Sequence, residues 1–274
     1  MNNSRALSAS RIGRAVAPAI AALLLIAPLR AQLAAPNAAG VAIGHIHVNA
    51  SDVDAQERFW VQVGGTPVRN EKLQMIQFPG VYIVLRKQDP TGGTLGSSVN
   101  HFGFHVKNFD ESAAKFKAAG LSVDKGANPK QMFLNGPDGL RIEILEDPSI
   151  QGPIEMHHVH LTALDTKEAV AWYAKHFGAM PGKRAQFDTA TVPGAEIAFN
   201  KVDTLQVPSK GRAVDHIGFE VKNIDQFVKK LEADGIKMDT PIRNSPNSSK
   251  LRIAFLTDPW GTYIELSEGL APAK

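Results

Sequence analysis

The chain has 274 residues, an apolar fraction of 43% and no cysteine. That length and apolar content are enough for two ordinary domains with real cores. The missing thiols exclude thiolate metal sites, cysteine nucleophiles and a lipid-modified N-terminal cysteine. The formal charge of +3 comes from the first 31 residues, which hold four of the 30 basic residues and no acid, so the remainder has 26 basic and 27 acidic residues. A nearly neutral remainder gives no electrostatic argument for binding nucleic acid, and we expect no nucleic-acid partner.

Residues 1–31 have the order of a secretory signal peptide. Three arginines come first, an apolar run from Val16 to Leu29 follows, and a short alanine-rich stretch comes next. The apolar run is shorter than the ~20 residues that a membrane-spanning helix needs, which favours cleavage over an uncleaved membrane anchor. We therefore predict a periplasmic or secreted protein with a disordered N-terminal tail at residues 32–40 and no membrane contact after cleavage.

From Val41 onward the sequence contains two copies of one pattern. The first copy covers residues 41–148, a linker covers 149–153, and the second copy covers 154–270. The 26 residues from Val99 match those from Val214 at many positions, including His101 with His216. A later match pairs Glu143 with Glu265. Self-similarity at this distance predicts two domains of the same architecture.

Each copy also divides into halves of similar pattern. In the first copy, alternating and amphipathic runs predict a strand at 43–48, a helix at 54–63 and strands at 67–69, 73–78 and 81–86. The second half repeats this order with a strand at 99–106, a helix at 110–119 and strands at 121–124, 131–134 and 140–145. Asp110 is the expected N-cap of the second helix and Gly120 its expected stop. The chain is therefore predicted to be α+β, with four βαβββ units paired into two domains.

Histidines lie two residues apart on several predicted strands, and such side chains share a face of the strand. This places His157 on the opposite face from its neighbours. The same-face pairs are His45 with His47, His101 with His105, His158 with His160, and His216 with Glu220. Glu143 and Glu265 lie in apolar final strands, where a carboxylate is costly to bury unless it is paired or bound to metal. Two imidazoles and one carboxylate form a facial triad suited to Fe(II) and related divalent ions.

Three paired motifs carry a family resemblance. They are GHIHV from residue 44 with HHVHL from 157, NHFGF from 100 with DHIGF from 215, and GPDGLRIE from 136 with DPWGTYIE from 258. Together they resemble the vicinal oxygen chelate superfamily, which includes glyoxalase I, bleomycin-resistance proteins and extradiol dioxygenases. The resemblance covers nearly the whole chain after residue 40. It implies two glyoxalase/dioxygenase-like domains, at 41–148 and 154–270, with curved mixed sheets that cup a metal.

The resemblance also implies the metal ligands. They are His45, His101 and Glu143 in the first copy and His158, His216 and Glu265 in the second. The expected cofactor is a divalent metal ion, one of Fe, Mn, Zn, Ni or Co. Each copy can build its own site, or the copies can exchange halves. The exchanged arrangement would join His45 and Glu143 with His216, and His158 and Glu265 with His101. We favour sites within each copy, because short connections favour the packing of neighbouring units.

The implied activity is that of a metal-dependent lyase, isomerase or dioxygenase acting on a small oxygenated molecule. His47 and His160 share a face with a ligand and are the candidate catalytic bases. Arg86 and Asn200 align and are candidates for holding an anionic or polar substrate. The alternative is a ligand-sequestering protein of the bleomycin-resistance type, which needs neither metal nor chemistry. The expected partner is a small-molecule substrate, and the expected assembly a monomer or homodimer.

Export gives the first testable prediction. The exported protein should begin between Gln32 and Pro36, because small residues follow the apolar run there. N-terminal sequencing of protein recovered from the periplasm or medium of a bacterial host measures this directly. Exported protein that still begins at Met1 would contradict the prediction.

Overall fold

The computed structural model describes residue 1 and residues 33–271. The predicted leader therefore lies almost wholly outside the described residues. The helices are α1 (Val53–Val63), α2 (Phe109–Ala118), α3 (Thr166–Phe177) and α4 (Ile224–Ala233). The strands of the first copy are β1 (Val41–Ala50), β2 (Thr66–Asn70), β3 (Leu73–Phe78), β4 (Val81–Lys87), β5 (Val99–Val106), β6 (Ser122–Lys125), β7 (Gln131–Asn135) and β8 (Arg141–Glu146). Those of the second are β9 (Ile154–Ala163), β10 (Met180–Arg184), β11 (Phe187–Val192), β12 (Ala195–Lys201), β13 (Val214–Val221), β14 (Thr240–Asn244), β15 (Arg252–Thr257) and β16 (Tyr263–Glu268).

The element order repeats as one strand, one helix and three strands, as the sequence predicts. Strands β3 and β5 have the predicted bounds, and most other elements differ by one or two residues. The predicted N-cap of α2, Asp110, is wrong. Asn108, not Asp110, is its N-cap, because the Asn108 side chain accepts a hydrogen bond from the Glu111 backbone N–H at 3.1 Å. Asp110 lies in the first turn of the helix, where its carboxylate complements the positive end of the helix dipole.

The strands form two eight-stranded mixed sheets, which confirms the predicted α+β class. Sheet I has the order β14-β15-β16-β13-β1-β4-β3-β2, and sheet II has the order β10-β11-β12-β9-β5-β8-β7-β6. At the centre of sheet I, β1 pairs with β13 antiparallel, and at the centre of sheet II, β5 pairs with β9 antiparallel. Each sheet thus takes one half from each copy. The favoured arrangement within each copy is wrong, and the sheets do not follow the boundaries at 148 and 154.

The core lies on the face of each sheet that meets the helices. On β5, Phe102 and Phe104 are fully buried in the main apolar cluster, and Trp60 of α1 stacks on Phe102 with ring centroids 5.8 Å apart. His101 and Gly103 alternate with these phenylalanines along the strand and therefore belong to the other face. Because apolar side chains fill one face, the alternation leaves the opposite face of each sheet for histidines and carboxylates.

The segment before β1 is anchored, contrary to the expected disordered tail. The Asn37 side chain accepts hydrogen bonds from the backbone of Ala39 and Val41 at 2.9 and 3.1 Å, and donates one to the Phe177 carbonyl at 3.0 Å. Residues from Leu33 to Ala271 lie in one compact unit. None of the helices in the described residues is long and apolar enough to cross a membrane.

Asp258 and Asp138 join helices to the turns before β16 and β8. Asp258, before β16, accepts a hydrogen bond from the Tyr173 hydroxyl of α3 at 2.8 Å and others from the backbone of Trp260 and Thr262. Asp138, before β8, accepts one from Gln56 of α1 at 3.2 Å. Burial raises the pKa of Asp258 to about 6, although its hydrogen bonds act in the opposite direction. The fold therefore favours the protonated form of Asp258.

This carboxyl gives a stability prediction with a defined sign. Because the folded pKa of Asp258 is raised, its contribution to stability is full below its unfolded value near 3.8 and is lost as pH rises through about 6. Asp258→Asn, which keeps the shape without ionising, should remove a fall on the order of 3 kcal/mol in unfolding free energy between pH 4 and pH 7.5. Urea unfolding of both proteins across this range tests it. Equal pH dependence in the two proteins would contradict the raised pKa.

Candidate metal centres

Two clusters of buried histidine and glutamate side chains lie at the centres of the two sheets. Site I consists of His45, His47, His216 and Glu265, and site II of His101, Glu143, His158 and His160. In each site, one possible ligand atom per residue lies within 4.8 Å of all the others. All six residues expected as ligands are in these clusters, together with both candidate bases. The sites are the same constellation, built once in each sheet.

The grouping differs from both arrangements considered from the sequence. In site I, His45 comes from the first copy, while His216 and Glu265 come from the second. Site II reverses this, with His158 from the second copy and His101 and Glu143 from the first. The histidines cross between the copies because β1 pairs with β13 and β5 with β9. Each carboxylate shares its half with one histidine of the same site. Glu265 lies beside His216 because β13 pairs with β16, and Glu143 lies beside His101 because β5 pairs with β8.

The donor separations fit one ion in each site. In site II, Oε2 of Glu143 lies 3.0 Å from His101 Nε2 and 2.9 Å from His158 Nε2. In site I, Oε2 of Glu265 lies 3.0 Å from His216 Nε2 and 3.7 Å from His45 Nε2. Neighbouring ligands ~2.1 Å from a common ion are roughly 3 Å apart when they meet it at a right angle. The separations therefore match those of first-row metal ligands.

Unsatisfied nitrogens support the same conclusion. His158 Nε2 is buried without a hydrogen-bond partner among the described residues, since its contact with Glu143 falls outside hydrogen-bonding geometry. His47 Nε2 and His160 Nδ1 are buried and unpartnered in the same sense. A buried polar atom without a partner costs roughly 1–3 kcal/mol. A divalent ion bound by the lone pair of His158 Nε2 would remove that cost at site II, so the residues fit the metal that the resemblance implies.

Neighbouring side chains orient the ligand rings. His216 Nδ1 lies 2.6 Å from Asp215 Oδ1, and His101 Nδ1 lies 2.8 Å from Asn100 Oδ1. Each oxygen accepts the Nδ1 hydrogen, which fixes the tautomer and leaves Nε2 with its lone pair toward the site. His158 Nδ1 lies 2.8 Å from His157 Nδ1, so the two rings share one hydrogen. In each case the outer partner prepares Nε2 as a ligand atom.

His157 lies beside the site residues, and its expected place on the opposite face is wrong. Strand β9 has an irregularity between its pairs Gly103–His158 and Phe104–Met156, so His157 is an extra residue without a partner across the ladder. A bulge of this kind re-aims a side chain. The His157 ring stacks on that of His105 with centroids 3.7 Å apart. Gly44 takes the same position in β1.

Two glycines make room for the first-strand histidines. A Cβ atom on Gly218 would lie 2.0 Å from Cε1 of His45, and one on Gly103 would lie 2.4 Å from Cε1 of His158. Real Cβ atoms do not approach other atoms so closely. Each imidazole therefore lies over the bare backbone of the neighbouring strand. The sequence match shows these glycines as a repeated pair, but their purpose appears only when the strand pairing is known.

The carboxylates of both sites are held in the ionised form. Burial alone would raise the pKa of Glu143, but the contacts with His101 and His158 and a hydrogen bond from Gln131 hold it far below its ordinary value. Burial likewise opposes ionisation of Glu265, and the neighbouring His45 and His216 outweigh it and lower its pKa. An ionised carboxylate among imidazoles is the donor set that divalent transition metals prefer.

The candidate bases are neutral. Burial, followed by the neighbouring His216, lowers the pKa of His47 well below its ordinary value. Burial and then His101 and His158 lower the pKa of His160 to about 2. Each base also stacks on a ligand, His47 on His216 at 4.3 Å and His160 on His101 at 4.4 Å between ring centroids. Each neutral ring thus has one unprotonated nitrogen that can accept a proton or a hydrogen bond beside the metal ligands.

Three further titratable residues, His105, Glu220 and Glu196, lie outside the clusters. His105 lies 3.5 Å from Asp147 in addition to its stack on His157. Glu220 accepts hydrogen bonds from the Ser267 hydroxyl and the Gly269 backbone, both at 2.8 Å, and burial raises its pKa to about 7. Glu196 is opposite His158 in the ladder and forms an ion pair with Arg184 at 2.6 Å. Asp215 and Asn100 are functional neighbours that the sequence analysis missed, although both directly precede a ligand histidine.

The observed grouping predicts how substitutions affect metal content. Glu265→Gln should remove about one equivalent of bound metal, Glu143→Gln should remove the other, and the double variant should retain almost none. His45→Ala added to Glu265→Gln should cause little further loss, because that site has already failed, whereas His45→Ala added to Glu143→Gln should empty both. Metal analysis after dialysis provides the measurement. The observed pairing would be contradicted if His45→Ala caused little further metal loss in Glu143→Gln and removed the remaining metal from Glu265→Gln.

Comparisons with known proteins show what this arrangement is similar to. Residues 155–266 match the sequence model of the Glyoxalase/Bleomycin resistance protein/Dioxygenase superfamily. The fold is similar to that of glyoxalase I from Zea mays, with a TM-score of 0.65, 17% sequence identity, and coverage of 83% of this chain and 92% of that one. A Bacillus subtilis subsp. subtilis str. 168 protein, provisionally described as a dioxygenase, is also similar in fold. The TM-score is 0.64 and the sequence identity 14%, with coverage of 88% of this chain and 87% of that one.

No curated protein sequence matches the chain. The family match lies in the second copy, and the structural similarity extends over most of both copies. Two eight-stranded sheets with a histidine–glutamate cluster at each centre agree with the resemblance carried by the sequence motifs. The chain thus contains a domain of the Glyoxalase/Bleomycin resistance protein/Dioxygenase superfamily at residues 155–266, within a fold of the glyoxalase I type.

Proposed function

We propose that the protein is an exported, divalent-metal-dependent enzyme of the glyoxalase/dioxygenase type, acting on a small oxygenated molecule at site I. The observation that carries this proposal is a cavity of about 240 Å³ lined by all four residues of site I. The volume is below the ~300–1,000 Å³ of typical drug-sized ligand pockets, so the cavity suits a small substrate. Export is supported by the signal-like order of residues 1–31.

A rim segment, residues 245–251, encloses the cavity from the side of β14 and β15. It is held to the β2–β3 turn by hydrogen bonds from Ser248 to the Asn70 side chain at 3.0 Å and from the Lys72 backbone to the Asn247 carbonyl at 3.0 Å. The Ser249 backbone and hydroxyl donate to Glu71 at 2.9 and 2.6 Å. The rim therefore joins strands from opposite edges of sheet I and limits access of water to the metal ligands.

In site II, neighbouring side chains already contact two of the four residues, Glu143 and His160. The Gln131 amide donates a hydrogen bond to the Glu143 carboxylate, and the Arg184 guanidinium lies 3.3 Å from His160 Nε2. At site I, the residue in the place of Gln131 is Ile253, which has no side-chain donor. We therefore assign turnover to site I, and to site II a metal that is enclosed by protein side chains.

A divalent metal supplies a Lewis acid that holds adjacent substrate oxygens and stabilises developing negative charge. His45, His216 and Glu265 would hold that ion. Asp215 keeps the His216 ring in the required tautomer. His47, which lines the same cavity with a neutral ring, is positioned to accept a proton or a hydrogen bond from the substrate. The apolar wall formed by Leu251, Ile253 and Phe255 excludes water from the reacting atoms.

The decisive experiment compares matched variants of the two sites. Metal-loaded protein should be screened against catechols and hydroxy-carbonyl compounds, with product detected by mass spectrometry. Glu265→Gln should lower turnover at least 10³-fold, because the metal is lost from the cavity, while Glu143→Gln should change it less than threefold. His47→Gln should lower turnover but retain two equivalents of metal.

Other outcomes would count against the proposal. Equal activity of the Glu265→Gln and Glu143→Gln variants would exclude site I as the catalytic centre. Metal loss in His47→Gln would make His47 a ligand rather than a base. Tight binding of a screened compound to metal-free protein, with no product from any metal-loaded form, would favour the sequestering function instead.

A further inference from the structure

We propose that the substrate of site I is a small organic anion, a carboxylate with a neighbouring hydroxyl or carbonyl oxygen and a short apolar body. This inference rests on the function proposed above and assigns its substrate class. It depends on two arginines, Arg86 and Arg243, that line the same cavity as the metal ligands. A 2-hydroxy or 2-oxo acid has the adjacent oxygens that a metal can hold and a negative charge that arginine can bind.

Arg86 is held in place before any ligand arrives. Its Nε and Nη2 atoms donate to Asn49 Oδ1 at 3.0 and 2.7 Å, and Nη2 also donates to Asp215 Oδ2 at 3.1 Å. None of these bonds uses Nη1. A guanidinium has five N–H donors in a fixed planar fork, so Nη1 retains two donors for a ligand in the cavity. Asn49 is fully buried and Asp215 nearly so, which makes the support rigid.

Arg243 provides the second positive charge. It lies on β14, opposite Ile253 of β15, and its side chain lines the cavity. Within the described residues 33–271, no carboxylate forms an ion pair with Arg243 and no side-chain hydrogen bond involves it. The other exposed arginine of this region, Arg252, is fully paired with Asp225 at 2.7 and 2.8 Å. An unpaired guanidinium on a cavity wall is therefore available to a ligand.

The charges around the cavity favour an anion once a metal is bound. Two carboxylates lie at the cavity: Glu265 lines it, and Asp215 forms an ion pair with Arg86 at 3.1 Å. Their two negative charges are balanced by Arg86 and Arg243. A divalent ion then leaves an excess of two positive charges. In a partly enclosed site such an excess attracts a carboxylate and disfavours neutral or cationic ligands.

Site II lacks both arginines. Asn200 is in the place of Arg86, since it pairs with Thr162 of β9 as Arg86 pairs with Asn49 of β1. Asn100 replaces Asp215 beside the ligand histidine. The segment that leads into β15 is seven residues longer than its counterpart before β7, when counted from Asp239 and Asp124. This extension carries Arg243 and the rim, so the anion-binding features belong to site I alone.

The remaining walls define the body of the substrate. Leu73, Val84, Leu251, Ile253, Phe255 and Leu270 line the cavity. Aliphatic and aromatic walls accept a branched alkyl group and reject additional polar groups, which would lose hydrogen bonds to water. The class that fits is therefore a 2-hydroxy or 2-oxo acid with a short branched side chain.

The probe is 2-hydroxy-4-methylpentanoate, and its neutral counterpart is 4-methylpentane-1,2-diol. Both should be titrated calorimetrically into full-length Zn²⁺-loaded Glu143→Gln protein, in which site I holds the metal. The acid should bind at least tenfold more tightly than the diol. Arg243→Met should weaken acid binding about tenfold and leave diol binding unchanged, since a charge-assisted hydrogen bond contributes on this scale. Arg243→Lys should restore part of the loss.

Lys250→Met is the matched control, because Lys250 lies in the same rim segment and loses the same charge without lining the cavity. It should leave both affinities within twofold of the parent. Equal weakening by Lys250→Met and Arg243→Met would overturn the role of Arg243. Acid that binds no more tightly than diol, or no binding of the acid to protein with full metal content, would overturn the anion class. Those results leave the metal site intact, whereas failure of the proposed function would appear as absent metal at site I.

Discussion

The antiparallel pairing of β1 with β13 and of β5 with β9 is the constraint on which both sites depend. It brings a histidine of one copy opposite a histidine of the other, with His47 beside His216 and His101 beside His160. Each pair has two irregularities, and the one at Gly44 in the first pair and at His157 in the second shifts the register by one residue. This shift aligns His45 with Gly218 and His158 with Gly103, where the absent side chain leaves space for the ring. A β-carbon at either glycine would displace a ligand, so strand register and metal geometry are one requirement.

The sequence was sufficient for the elements and for the residue types of the site. Alternation along β5 and β13 separates the core face from the histidine face, and duplication makes the pattern of His101 with His216 and Glu143 with Glu265 stand out from isolated histidines. Strand pairing was not accessible in the same way. The βαβββ units are alike, so any unit can present its first strand to any other. The rule that neighbours pack together was applied within each copy, whereas sheet II joins the consecutive units β5–β8 and β9–β12 across the boundary of the copies.

The bulge at His157 was also beyond sequence reasoning. A period-two pattern assigns neighbouring residues to opposite faces, and an extra residue in one strand breaks that rule locally. Asn108 was missed as a cap for a different reason, since Asn and Asp both suit the N-cap and only the backbone shows which residue begins the helix. These errors have one source. Local patterns predict which residues can adopt a role, and long-range pairing decides which of them do.

The difference between the sites arises from few residues, of which Asp215 is central. Its Oδ1 fixes the tautomer of His216, and its Oδ2 accepts hydrogen bonds from Arg86, Asn49 and the Gly211 backbone. One buried carboxylate thus joins a metal ligand to a cation of the cavity wall. Without Asp215, Arg86 would lack its counter-charge beside the metal, and the local excess of positive charge would oppose metal binding. At site II, Asn100 can orient His101 but adds no charge, and the arginine is correspondingly replaced by Asn200. The replacement of Asp215 by Asn100 and that of Arg86 by Asn200 are electrostatically linked. An arginine beside a neutral asparagine would leave a positive charge unbalanced at the metal.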